Sequence, residues 1–158
     1  HFTNTYEPYL SVTITKKVVG DMGDTTKNFS FTATLDTTQI RQGSAYTTAG
    51  DGAALTDTGF TLRSGGSVTL THLRADQTLT LTESDPGDHT VSWQLNGDDG
   101  PTGVTCTLQV PRAQPAEITC INTRNVGIPT GLHTGAAPYL ALVGLCWLGW
   151  RLLRRREV

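Results

Sequence analysis

Three polar side chains stand where the pattern of the sequence calls for apolar ones. From Leu10 to Val19 the residues alternate with period two, so Leu10, Val12, Ile14, Lys16 and Val18 share a face. Lys17 points the other way, to water. In Thr78–Glu83, a carboxylate, Glu83, continues the row of Leu79 and Leu81, and near the end Asn122 continues the row of Ile118 and Cys120. Taken singly, each has an ordinary reading, a strand end at which the polar group reaches water. Buried singly, each would cost several kcal/mol. Buried together, they permit a reaction. A lysine in an apolar site loses its proton and becomes a nucleophile. A glutamic acid there keeps its proton and can polarise the asparagine carbonyl while the amine attacks. Ammonia leaves, an amide joins Lys16 to Asn122, and no charge stays buried. Glu83 acts once as promoter, so this is maturation and not turnover.

The elements that must position these groups read as strands. Thr is abundant, Met occurs once, and helix-favouring residues are scarce before the C-terminal end. Phe29, Phe31, Ala33 and Leu35 form one inward row, and Val91, Trp93 and Leu95 another. Phe60–Leu62 and Val68–Leu70 bracket Ser64-Gly65-Gly66-Ser67, a hairpin signal. Asp36–Thr58 reads as a polar surface excursion with a short strand near residues 45–48, and Asn96–Pro101 as a loop. Val104, Cys106, Leu108 and Val110 form the penultimate strand, and Pro111–Pro115 turns it back toward Ile118. That turn would set Cys106 roughly opposite Cys120, making the pair a candidate cross-strand disulfide. Short strands at regular spacing predict an all-β, immunoglobulin-like β-sandwich over residues 9–125.

At this point the chain resembles the isopeptide-linkage domain of Gram-positive pilins and the related B-type repeat domains of surface adhesins. The matching pieces are Val12-Thr-Ile-Thr-Lys16-Lys-Val-Val-Gly20, Phe29-Ser-Phe31, Phe60 to Leu70, Leu73 to Glu83, and Ile121-Asn122-Thr123. In such domains a lysine on the first strand bonds an asparagine on the last, with a Glu or Asp between. The resemblance implies those roles for Lys16, Asn122 and Glu83. Two cysteines on the last hairpin and Leu79, where a tyrosine is common, depart from the family's pattern. Phe2-Thr3-Asn4-Thr5 echoes Cys120-Ile121-Asn122-Thr123. Residues 1–8 are therefore expected to be the end of a preceding repeat and its linker, with Asn4 as that repeat's crosslink candidate.

Beyond the sandwich, residues 126–134 form a linker that carries Ile128-Pro129-Thr130-Gly131. Residues 135–153 are apolar enough for a single C-terminal transmembrane helix, and 154–158 form a basic tail. Arg151, Arg154, Arg155 and Arg156 place that tail in the cytoplasm and the sandwich outside. Motif, span and tail are similar to a sortase sorting signal, whose usual form, Leu-Pro-x-Thr-Gly, is one residue longer. The likeness implies as partners a sortase-type transpeptidase, and the cell wall or a neighbouring pilin subunit. A plain membrane anchor is the alternative. Either way the localisation is extracellular and cell-surface anchored.

Residues 1–135 hold 8 basic against 13 acidic side chains, which argues against nucleic acid as a partner. No C-x-x-C pair or metal-ligand spacing occurs, and His1, His72, His89 and His133 sit in unrelated contexts. The sequence thus predicts no metal, no cofactor and no enzyme. It predicts a structural stalk module, the alternative being an adhesin module that binds a host protein or glycan through surface loops such as 36–58.

Overall fold

Period-two alternation becomes strand wherever one face can be buried. The computed structural model describes residues 8–44, 47–112 and 115–127. Asn4, the motif Ile128-Pro129-Thr130-Gly131, the span at 135–153 and the basic tail lie outside the described residues. The chain divides into two compact units, His1–Val126 and Gly127–Val158, and the strands belong to the first.

In chain order the strands are β1 (Leu10–Val19), β2 (Phe29–Leu35), β3 (Thr38–Ile40), β4 (Thr47–Ala49), β5 (Ala53–Thr56) and β6 (Gly59–Leu62). They continue with β7 (Ser67–Leu73), β8 (Thr78–Glu83), β9 (Thr90–Leu95), β10 (Asp98–Thr102), β11 (Thr105–Gln109) and β12 (Ala116–Thr123). One sheet has the order β10-β9-β12-β1-β7-β4, and the other the order β11-β8-β2-β6-β5, with β3 beside β2. The first and last strands are thus neighbours in mid-sheet, and they run parallel, with Val12 opposite Ala116 and Val19 opposite Thr123.

The inward rows of the two sheets meet in one core. Val12, Ile14, Trp93, Ile118 and Leu70 come from the first sheet, and Phe29, Phe31, Phe60, Leu62, Leu79 and Leu81 from the second. The Phe31 ring stacks on Phe60 within the second sheet at 5.5 Å and bridges to the first by meeting Trp93 edge-on at 6.4 Å. Burying such rings supplies the main favourable term of folding.

Four local readings of the sequence are corrected. Ser64–Ser67 does not close a hairpin, because β6 and β7 belong to different sheets and the turn carries the chain across the core. Asn96-Gly97 is itself a tight turn that joins β9 to β10, with positive φ at both residues (52° and 90°). The last two strands also separate: β11 pairs with β8, whereas β12 lies between β9 and β1. Cys106 and Cys120 are consequently not cross-strand partners, and both are free, buried thiols. The segment 36–58 is more ordered than a plain excursion, since it contributes β3, β4 and β5.

Candidate functional site

Strand parity decides which lysine enters the core. Lys16 is 1% exposed, and Lys17, the next residue, lies on the exposed face. The backbone around Lys16 is held on both flanks. Its Cα is in register with Cys120 of β12. On the other flank β7 pairs as far as Thr15, and the β6–β7 turn takes over from there. The Lys16 N–H donates to the Gly66 carbonyl at 2.9 Å, and the Gly65 N–H donates to the Lys16 carbonyl at 2.8 Å. Ser64 Oγ accepts from the Val18 N–H at 3.1 Å. Glycine at position 66 lets the same turn pack against the connection between β4 and β5, since a Cβ there would lie 2.5 Å from the Gly52 carbonyl oxygen.

Asn122 is the next inward residue after Cys120 on β12, and Glu83 is the last residue of β8 in the facing sheet. Glu83 is fixed by its N–H, which donates to the Val104 carbonyl at 2.9 Å. The three side chains converge. Lys16 Nζ lies 3.2 Å from both Glu83 Oε1 and Oε2. Asn122 Nδ2 donates to Glu83 Oε1 at 2.7 Å. Lys16, Glu83 and Asn122 are the buried polar or charged side chains among the described residues. The lysine head also faces the Phe29 ring at 4.5 Å and the Phe31 ring at 5.4 Å. Those rings complete a dry box in which an ion pair is paired and hydrogen-bonded but far from water.

Sequence reasoning missed one member of the site. Cys120 Sγ accepts from Lys16 Nζ at 3.2 Å, and the thiol hydrogen has two acceptors in reach, Glu83 Oε2 at 3.4 Å or Asn122 Oδ1 at 3.9 Å. Burial pushes this thiol from its ordinary value of 9.0 up to about 12, so it stays protonated. Its place in the inward row was readable from parity, but the assumed hairpin drew it toward Cys106. Cys106 lies elsewhere in the core, opposite Leu81, and burial raises its thiol too.

Comparison with known proteins supplies a context for this geometry. Residues 10–124 match the family model described as Domain of unknown function (DUF7601). The chain is 28% identical over 150 residues to a protein of Streptococcus pyogenes serotype M1 named "Pilin", covering 84% of this chain and 44% of that one. Its fold is similar to the crystal structure of the major pilin of Streptococcus pyogenes, with a TM-score of 0.54 and 25% identity over 73% of this chain and 48% of that one. It is similar in fold also to a Mobiluncus mulieris adhesin described as containing intramolecular disulfide, isopeptide and ester bond cross-links. There the TM-score is 0.54, the identity 16%, and the cover 73% and 41%. The chain spans less than half the length of each of these relatives.

Proposed function

The chain belongs to the DUF7601 family, and from that premise we propose that residues 10–124 are a stalk module of a cell-surface or pilus protein, closed by an amide between Lys16 and Asn122. The observation that carries this reading is the meeting of Lys16, Glu83 and Asn122 in a box without solvent. The pilin and adhesin relatives support its setting outside the cell, and the two facing sheets suit the immunoglobulin-like sandwich such stalks use.

The arrangement performs the chemistry as follows. A proton passes from Lys16 Nζ to Glu83 across a 3.2 Å contact, which turns a buried ion pair into a neutral pair. The free amine attacks Asn122 Cγ. Glu83 donates its proton to Nδ2, 2.7 Å from Oε1, and takes one from the attacking nitrogen. The C–Nδ2 bond breaks, ammonia leaves, and Glu83 remains protonated. The product holds no buried charge, which drives the step toward the amide.

Peptide mapping tests this directly. Trypsin should fail to cut after Lys16, and a branched peptide should join the Lys16 and Asn122 segments. Separate linear peptides, with cleavage after Lys16, would refute the crosslink. For attachment we propose that a sortase-type transpeptidase cuts between Thr130 and Gly131 and transfers Thr130 to a cell-wall or pilin amine. Mature protein that still contains peptides running through Gly131 would leave only a membrane anchor.

A further inference from the structure

Lys16 Nζ must do more than lose a proton. Its lone pair has to point at Asn122 Cγ, and an amine on a flexible stem rotates freely unless its remaining N–H groups have acceptors. The Glu83 carboxyl accounts for two contacts, both at 3.2 Å. Among the described residues the remaining polar contact is Cys120 Sγ, also at 3.2 Å. Aromatic faces occupy other directions around the head.

We propose that Cys120 is a positioning residue for the crosslink: its sulfur accepts one Lys16 N–H and so aims the amine's lone pair at the Asn122 carbonyl carbon. This rests on the crosslink reading and adds a fourth member to its machinery. The backbone makes the placement unavoidable. Cys120 is the register partner of Lys16 across the parallel pair, and Asn122 is two residues further on the same inward face. To reach Asn122, the lysine head passes alongside Sγ. The thiol in turn points its hydrogen toward Glu83 Oε2, 3.4 Å away, or Asn122 Oδ1, 3.9 Å away. It thereby links the attacking amine to either the promoter or the acceptor. Neutrality matters here. A thiolate beside Lys16 would hold the ammonium form and oppose attack, and burial keeps this sulfur protonated. Oxygen at this position keeps both an acceptor and a donor, whereas a methyl keeps neither.

The test follows ammonia loss in time. The full chain, kept unfolded in denaturant, is diluted into native buffer, and samples are read by intact mass while circular dichroism reports the folded fraction. Wild type is compared with Cys120→Ala, Cys120→Val and Cys120→Ser. Ala empties the sulfur's space and Val refills it without a polar atom, so together they separate packing from hydrogen bonding. Per folded molecule, the Ala and Val variants should crosslink about tenfold more slowly, the rate equivalent of one lost hydrogen bond. The Ser variant should recover most of the rate. Equal rates in wild type, Ala and Val, or a Ser variant as slow as Ala, would overturn the role of Cys120 and leave the crosslink standing. A wild-type chain that folds and never loses ammonia would overturn the crosslink itself, and this role with it.

Discussion

At the scale of single residues, the site turns on which groups carry protons. Cys120 gives a consequence that needs no crosslink. Its thiol sits near 9.0 when the chain is unfolded and at about 12 when folded, because burial penalises the thiolate. Between those values the unfolded chain has released this proton and the folded chain has not. Stability therefore falls as pH rises through that window, by up to about 1.4 kcal/mol per unit. Below pH 9 the contribution is fully present. Denaturant midpoints measured from pH 8 to 11 should fall more steeply for wild type than for Cys120→Ser. Parallel slopes would show that the buried thiol is not what titrates. Much of this scale was legible in the sequence. Parity along β1 separated Lys16 from Lys17, and parity along β8 and β12 turned Glu83 and Asn122 inward. Cys120 was in the same inward row, but parity alone does not say which side chain in the facing sheet a residue meets.

At the scale of elements, the sequence showed that strands exist and which face each buries, but not how they divide between sheets. Alternation is a local property, and it reads the same in β11 and β12 whether they pair or face each other. Pro111–Pro115 and Ser64–Ser67 both look like hairpin turns, yet each carries the chain from one sheet to the other. The long-range consequence is that β12 leaves β11 and inserts between β9 and β1. That insertion brings Asn122 to Lys16. The β6–β7 turn gives a prediction at this scale. Gly66→Val would drive a Cβ against the Gly52 carbonyl, only 2.5 Å away, and would push the turn off the Lys16 backbone. It should lower stability by about 1–3 kcal/mol and slow the crosslink, although residue 66 touches none of the reacting side chains. Gly65→Ala, where a Cβ meets nothing within 4 Å, should cost less, through its positive φ of 84° alone. Equal effects of the two changes, read by thermal unfolding and intact mass, would remove the turn from the account.

At the scale of the whole molecule, the crosslink would join the first strand to the last, so nearly the entire sandwich becomes one covalent loop. In the chain-entropy model, closing a loop of ~100 residues contributes ~4–5 kcal/mol by restricting the unfolded chain. The parallel pairing of β1 and β12 adds a mechanical consequence. A pull on the two ends of the domain enters at β1 and leaves at β12, so an amide between Lys16 and Asn122 would carry the load past the residues between them. A stalk gains from that more than from any surface salt bridge, since exposed pairs such as Arg124 with Asp88 contribute little. The most direct measurement is the intact mass of the folded chain and of its single variants. Wild type and Lys17→Ala should lack one ammonia, whereas Lys16→Ala, Asn122→Ala and Glu83→Ala should keep their full calculated masses and melt at lower temperature. A wild-type chain that is folded, aged and of full unmodified mass would contradict it, and Lys16 and Glu83 would then be an ordinary buried ion pair.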